Sequence, residues 1–337
     1  MTDWIELDPA HSTTRRLYKA APEMVEEELK TTQKSNDLFE TTLFQPEGEG
    51  RKGEGGLRTL NYFKKSSEEK PLITVITVVF NGEKHLEETI LSVIDQTYDN
   101  VEYIIIDGGS TDRTLDIVQK YEHAIDYWVS EKDNGIYDAM NKGILLSAGS
   151  FFGFVNADDY LFAETLANIG EFKNIKKIDY TIGSVQIIDQ LGIPTRIMKP
   201  INFLGNDKKI ISYNMVTPHQ AFYVNMLFAK KNTGLFNTKY SVSSDFDYVT
   251  KAALISKKYL VLPKLVGCYR EGGVSGDSRT YFENYKILRS YGSGVPRSTI
   301  YLIRSLTKIL IIRAFPKLVL QLLRHYFSSG RFEYLKK

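Results

Sequence analysis

Residues 156–159 read Asn-Ala-Asp-Asp and follow the run Phe151-Phe-Gly-Phe-Val155. Strands favour aromatic and β-branched runs, and adjacent acids end them. Two carboxylates at the carboxyl end of a strand offer hard oxygens to a divalent cation. The pattern occurs once before, where Val101-Glu-Tyr-Ile-Ile-Ile-Asp107 runs into Gly-Gly-Ser-Thr-Asp112. Two acid-tipped strands on one sheet point to a pocket for a nucleotide diphosphate and a metal. Asp158 is the candidate metal ligand, because a cation beside a diphosphate neutralises charge building on the leaving group. Its alternative is a cap on the helix expected in 161–170. Asp159 is the structural member of the pair.

The remaining polar candidates each carry two readings. Asp107 can accept a hydrogen bond from a base or ribose, with Gly108 and Gly109 permitting close approach; the alternative is an Asx turn. Asp112 suits a helix cap. In the loop 130–141, Lys132 can meet a phosphate and Asn141 a nucleotide or sugar, or both are solvated. Asp245, in Ser-Ser-Asp-Phe-Asp, is the candidate base. A carboxylate on the sugar face opposite the diphosphate can deprotonate an acceptor hydroxyl; an Asp at a helix start can equally be a cap. Asp247 lies roughly 200° around the same helix and faces elsewhere. His219 is a third metal ligand, an acceptor contact or a hydrogen-bonded structural histidine. His11, His85, His123 and His325 have no context that assigns them a role. The loop Arg270-Glu-Gly-Gly-Val-Ser275 reads as a flap over the cleft or as an exposed turn.

The elements that must position these groups are legible from Pro71 onward. Residues 72–80 form a continuous apolar strand, as in a sheet covered on both faces. A helix follows with Leu86, Ile90, Val93 and Ile94 on one face. Strand 101–107 comes next, then a helix carrying Leu115, Val118 and Tyr121, strand 125–130, helix 137–146 and strand 151–156. This alternation specifies an α/β fold with a mainly parallel sheet, whose ligands bind at the carboxyl ends of the strands. Asn81, Asp107, Glu131 and Asp158 fall there. After residue 160 the pattern becomes mixed α+β: strands 179–189 and 193–199 around a Gln190-Leu-Gly192 turn, a strand at 219–224, a helix from Ser244 or Asp245, and two short strands at 258–263 and 265–270. This half supplies the second wall of a cleft.

The ends of the chain differ from the middle. Residues 1–70 are rich in Glu, Lys, Thr and Gly; a helix is expected within 15–44, with Leu17, Met24, Val25 and Leu29 apolar. Gly48–Gly56 (GEGRKGEGG) lacks the Gly-Lys-Ser/Thr of a phosphate loop and reads as linker. The single cysteine, Cys268, excludes an internal disulfide and fits a reducing compartment. The opening residues are acidic and interrupted, unlike a secretory signal. From Arg297 to Lys337 there are nine Lys or Arg and one acid, a net +8 that leaves −6 for residues 1–296. The body is therefore not a general nucleic-acid binder. The tail has no apolar run of about 18 residues that could span a bilayer. Its basic residues fall on opposite faces of one straight helix, so two amphipathic helices broken between about 311 and 316 are expected. These can lie on an anionic membrane or pack on the body or on another subunit.

Together these residues resemble glycosyltransferase family 2, the inverting enzymes of GT-A fold, over about residues 58–275. The likeness is greatest to the bacterial branch building capsule, exopolysaccharide and lipopolysaccharide. The carriers are Ile76-Thr-Val-Val-Phe-Asn81, the stretch 92–114, the stretch 130–144 and Val155-Asn-Ala-Asp-Asp-Tyr-Leu161, collinear and suitably spaced. The resemblance implies that Phe80 and Asn81 open the nucleotide pocket and that Asp107 holds the donor base. Asn156-Ala-Asp158 takes the place of the Asp-x-Asp motif, with a ribose contact from the Asn156 amide and the metal, Mn²⁺ or Mg²⁺, on Asp158. It places the base at Asp245. Asn156 and Ser244 stand where the family has acids, and the Gln-x-x-Arg-Trp motif of processive synthases is missing. The implied reaction is single-displacement transfer from a nucleotide-diphosphate sugar, UDP by family frequency, to a saccharide or polyprenyl-linked acceptor. The implied location is the inner face of the cell membrane, peripherally attached, with association of copies left open. The rival is a non-catalytic sugar-nucleotide-binding scaffold of a polysaccharide complex. A nucleotidyltransferase would bring a Gly-rich basic loop where residues 80–85 stand, and a dehydrogenase needs a Gly-x-Gly-x-x-Gly after a strand.

Overall fold

The computed structural model describes residues 4–48, 50–201, 215–272, 278–314 and 332–334. The N-terminal segment supplies β1 (Tyr18–Lys19), α1 (Pro22–Thr32), β2 (Gly53–Gly55) and β3 (Tyr62–Phe63). Strict alternation follows: β4 (Ile73–Val79), α2 (Leu86–Ile94), β5 (Val101–Asp107), α3 (Thr114–Lys120), β6 (Tyr127–Ser130), α4 (Ile136–Leu145) and β7 (Phe151–Phe154). The second half holds β8 (Tyr160–Leu161), α5 (Thr165–Gly170), β9 (Tyr180–Ile188), β10 (Pro194–Met198), β11 (Val224–Asn225) and α6 (Met226–Phe228). It continues with α7 (Ser244–Ile255), β12 (Tyr259–Arg270), α8 (Ser278–Ser290), α9 (Val295–Ala314) and β13 (Phe332–Tyr334).

One mixed sheet runs in the order β13-β10-β9-β11-β7-β4-β5-β6-β2, with β12 joined to β9 off that path and β8 joined to β12. Its centre is parallel: β4 pairs with β5 and β7, and β5 with β6. Val79 is level with Asp107, and Asp107 with Ser130, so the carboxyl ends form one rim. Every residue of β4 and β5 is buried, because helices cover both faces. Val75, Tyr103, Ile105 and Phe151 pack on α2, α3 and α5 through Ile90, Val93, Val118 and Leu166. On the other face Ile76, Ile104, Ile106 and Phe154 meet Tyr137, Met140 and Ile144 of α4 and Val249 and Ala252 of α7. Gly143 permits the α4 contact, since a Cβ there would lie 2.4 Å from Ile76 Cγ2.

Several expectations are corrected. Gly53–Gly55 is an edge strand antiparallel to β6, not linker. Of the expected apolar positions at 15–44, Val25 and Leu29 join a small core, Met24 is exposed and Leu17 is buried outside the helix. Residues 219–224 are not one strand: His219–Ala221 is a 3₁₀ turn. Residues 259–270 are one strand whose register shifts between Val261 and Leu265, around Pro263, which has no N–H to give the ladder. Helix α9 runs unbroken to Ala314. The break expected between about 311 and 316 therefore does not fall at 311–314; 315–316 and most of the tail beyond lie outside the described residues, as do 273–275 of the supposed flap.

Candidate active site

A cavity of about 680 Å³ opens at the carboxyl rim of β4 and β7, between them and the second half. Phe80, Asn81, Asn156, Asp158, His219 and Asp245 all line it. Phe80 is 63% exposed and lines the cavity. Asn81 turns the chain sharply with φ 52°, a left-handed conformation that Asn tolerates. Its Oδ1 accepts from Thr111 N at 2.8 Å and its N–H donates to Ser110 Oγ at 2.7 Å, which joins the loops after β4 and β5.

Three expected contacts do not reach the cavity. Asp107 is 1% exposed; its Oδ2 accepts from Ser110 N (3.0 Å), Gly109 N (3.2 Å) and Ser130 Oγ (2.5 Å), and its Oδ1 from Ser110 Oγ. That carboxylate ties the Gly-Gly-Ser turn to β6, which is the Asx-turn reading. Lys132 is exposed and turned outside the lining. Asn141 donates to Phe236 O at 3.0 Å and accepts from Phe236 N at 2.8 Å, locking α4 to the second half. Glu131, at the end of β6, pairs outward with Arg51 (2.8 Å) and Lys142 (2.7 Å).

The acid pair divides its roles. Asp159 is 1% exposed and accepts from Arg270 N (2.9 Å), Gln220 Nε2 (2.8 Å) and Asn156 Nδ2 (3.2 Å). Burial and the neighbouring Asp158 push it up to about 7. Asp158 faces the cavity, and burial raises it above the usual carboxylate range against the pull of His85, Arg270 and His219. Arg270 donates its Nε to the Asp158 carbonyl (3.2 Å) and its Nη2 to Glu88 (2.8 Å).

Across the cavity Asp245 sits in the first turn of α7, where the helix dipole favours an anion. Its Oδ1 accepts from Tyr137 Oη at 3.0 Å and from Phe246 N at 2.9 Å. Its Oδ2 lies 3.4 Å from His219 Nδ1. Burial alone would raise Asp245, but His219 and the Tyr137 hydroxyl outweigh it and hold the carboxyl below its ordinary value. The reverse holds for His219: burial opposes its charge, and Asp245 raises it. Ser244, next door, is fully buried with its hydroxyl unpartnered, a place where a carboxylate would be desolvated without compensation. Of the other linings, Arg270 was read from sequence only as the start of a flap or turn, and it ends β12. Tyr137, Asp133 and His85 were given no role, and only their positions after strand ends could have drawn attention to them.

Metal chemistry has a fitting donor set. Asp158 supplies hard oxygen, and no group of three or more His, Cys, Asp or Glu among the described residues could hold an ion by itself. One carboxylate plus substrate phosphates is the usual arrangement for Mg²⁺. His219 does not present a ring nitrogen for such an ion: Nε2 is 3.1 Å from Asn156 Nδ2 and Nδ1 faces Asp245.

The profile described as Glycosyl transferase family 2 matches residues 74–231. An uncharacterized glycosyltransferase of Mycobacterium tuberculosis is 32% identical over 220 residues, 62% of this chain and 82% of that protein. A PGL/p-HBAD biosynthesis glycosyltransferase of Mycobacterium bovis is 31% identical over 266 residues, 74% of this chain and 93% of the relative. Among solved structures, S. aureus TarS 1–349 in complex with UDP-GlcNAc superposes with TM-score 0.53 at 22% identity, covering 64% of this chain and 65% of that one. The mannosyltransferase PcManGT from Pyrobaculum calidifontis, in complex with GDP-Man and Mn²⁺, gives 0.51 at 16%, covering 77% and 80%. The chain thus spans just under two thirds of that TarS chain. At these identities the likeness shows the fold, which is GT-A.

Proposed function

The chain belongs to glycosyltransferase family 2, and from that premise we propose that it inverts configuration in moving a sugar from a nucleotide diphosphate, UDP first, to a saccharide or lipid-linked saccharide. The observation that carries this reading is the meeting of Asp158 and Asp245 in one cavity at the carboxyl rim of the sheet.

Each residue then has a task. Phe80 offers a face for the donor's base. Asn156 Oδ1, buried and without a protein partner, can accept from a ribose hydroxyl. Arg270 and Lys84 bring positive charge toward the diphosphate. Asp158 would hold Mn²⁺ or Mg²⁺, which when bound stabilises the departing nucleotide diphosphate as a Lewis acid. Asp245, kept ionised by its neighbours, takes the acceptor proton as the hydroxyl attacks the anomeric carbon from the face away from the diphosphate. Asp107 and Asn141 act behind this set by fixing the turn after β5 and the seat of α4, and Lys132, exposed outside the lining, takes no part in holding the donor.

The setting proposed is cell-surface polysaccharide synthesis at the inner face of the membrane. The basic residues after Arg297 would hold the protein there peripherally.

A melting-temperature series with UDP, GDP and Mn²⁺ tests the donor reading, since a ligand of the native state must raise the transition by mass action. Because one carboxylate is a poor cage, Mn²⁺ alone leaves the transition unmoved and UDP with Mn²⁺ raises it. Hydrolysis of the matching sugar nucleotide then falls in Asp158→Ala and in Asp245→Ala. Binding without turnover would favour the scaffold alternative, and parent-level turnover in both variants would remove the mechanism.

A further inference from the structure

His219 stands between the two walls of the cavity and touches both. Its ring Nδ1 is 3.4 Å from Asp245 Oδ2, and its Nε2 is 3.1 Å from Asn156 Nδ2. The turn beneath the ring is fixed. Ala221 N donates to Pro218 O and Phe222 N to His219 O, both at 3.0 Å. The next side chain, Gln220, is 4% exposed and donates to Asp159 at 2.8 Å. An imidazole on so rigid a base can hold what it touches.

What it touches is informative. The Asn156 amide nitrogen serves Asp159 Oδ2 (3.2 Å) and His219 Nε2 together. That orientation leaves Asn156 Oδ1 as a buried oxygen without a protein partner. On the other side, Asp245 has Oδ1 fixed by Tyr137 and its own helix amide. Only Oδ2 is left to be aimed, and His219 is the group beside it.

We propose that His219 is a positioning residue for the base: its Nδ1–H aims the Asp245 carboxylate into the cavity, while Nε2 accepts from the Asn156 amide. One ring thereby sets the base on one wall and the amide orientation on the other. This rests on the reading of Asp245 as the base. It also replaces a metal-ligand role, because neither ring nitrogen keeps a lone pair for a cation.

Two measurements test it. The first is ¹⁵N NMR of the histidine rings at pH 8, with His219→Gln to assign the signal. The groups facing this ring are Asp245 from α7 and Asp158 and Asp159 from the loop after β7, with Tyr137 of α4 beyond Asp245. The expected result is a protonated Nδ1 in the parent that is lost in Asp245→Ala. A ring protonated only on Nε2 in the parent overturns the proposal. The second is hydrolysis of UDP-GlcNAc, UDP-glucose and GDP-mannose with Mn²⁺, followed on whichever is turned over. His219→Leu should lose roughly 10–100-fold in kcat, the scale of a small misplacement, with donor KM within about threefold. The melting shift produced by nucleotide should persist. His219→Gln, which can donate to Asp245 and accept from Asn156, should recover part of the loss. An unimpaired His219→Leu, a loss confined to KM, or a folded His219→Gln no better than His219→Leu overturns the proposal. Asp245→Asn separates the causes. If it is inactive beside an active His219→Leu, the positioning role alone falls. If it keeps parent turnover, the base reading falls and takes this role with it.

Discussion

Asp158 and Asp159 are adjacent and share residue type, yet their surroundings give them opposite work. Asp159 collects a backbone N–H from Arg270 and side-chain donors from Gln220 and Asn156, so it joins β12, the His219 turn and the loop after β7. Asp159→Leu leaves those donors buried and unpaired. It should destabilise the protein by roughly 1–3 kcal/mol, read by urea denaturation, with or without nucleotide; an unchanged midpoint would deny Asp159 its structural role. Asp247 shows the same separation on α7. It points from the cavity to Tyr291, whose hydroxyl donates at 2.9 Å, and burial raises its carboxyl above the ordinary value. A raised folded pKa means stability that is present below the unfolded value, near 3.8, and lost as pH rises through the folded one. Asp247→Asn keeps an acceptor for Tyr291 without the charge. The melting temperature of the parent should therefore fall relative to Asp247→Asn as pH rises from 4 toward neutrality; parallel curves would refute the shift. Sequence named both acid positions correctly as to which faces outward from the site. For Asp107 it offered the Asx turn as the alternative, but it could not see Ser130 completing that set, because this depends on the ends of β5 and β6 meeting, not on spacing.

Among the elements, the N-terminal segment departs most from its sequence reading. Its glycines and charges resemble linker, and the apolar positions are sparse. The structure nevertheless lays it along β6 and anchors it through two buried ion pairs. Arg58 Nη2 meets Glu102 at 2.6 Å, with both side chains no more than 3% exposed, and Lys64 meets Asp126 at 2.6 Å. Glu102 also accepts from Thr74 Oγ1 (2.6 Å) and Ala148 N (2.8 Å), so it sits beneath the central sheet. Glu102 and Asp126 fall within the strands expected at 101–107 and 125–130, both are buried, and each needs a cation from elsewhere in the chain. Nothing local announces such a partner, which is why the segment's role was illegible while the hydrophobic periods of β4, β5 and α2 were plain. Arg58→Met leaves Glu102 buried and uncompensated, a loss of about 3–5 kcal/mol. Calorimetry should find a melting temperature well below the parent's; an unchanged value would mean that the segment is carried, not integral.

Across the whole molecule, the parallel half and the mixed half close on one cavity, and α8 binds the loop that leads to the base. Glu283 of α8 accepts from Ser241 N (2.8 Å) and Val242 N (2.9 Å), while Ile287 and Leu288 bury Phe246, the residue after Asp245. Helix α9 continues from there, packed through Tyr301, whose hydroxyl accepts from Asn284 at 2.9 Å. So the start of the tail is bound to the body, the alternative that sequence kept beside membrane attachment. Both can hold at once. Ile300 and Ile303 on α9 remain more than half exposed. No helix among the described residues is long and apolar enough to cross a membrane, and nine basic residues against one acid lie from 297 onward. A segment of that composition would meet an anionic membrane through charge and shallow insertion together, with each basic residue near the membrane adding about 1 kcal/mol. The intact protein should therefore sediment with phosphatidylglycerol vesicles and not with phosphatidylcholine ones, and 0.5 M salt should weaken binding, since screening shortens the reach of surface charge. Replacing Arg313, Lys317 and Arg324 with Gln should reduce that binding at least tenfold, because losing about 3 kcal/mol exceeds the roughly 1.4 kcal/mol that a factor of ten requires. Hydrolysis of a soluble donor, which needs only the cavity, should not change. Equal binding to both vesicle types, or a triple variant that binds like the parent, would leave the basic tail without a membrane role.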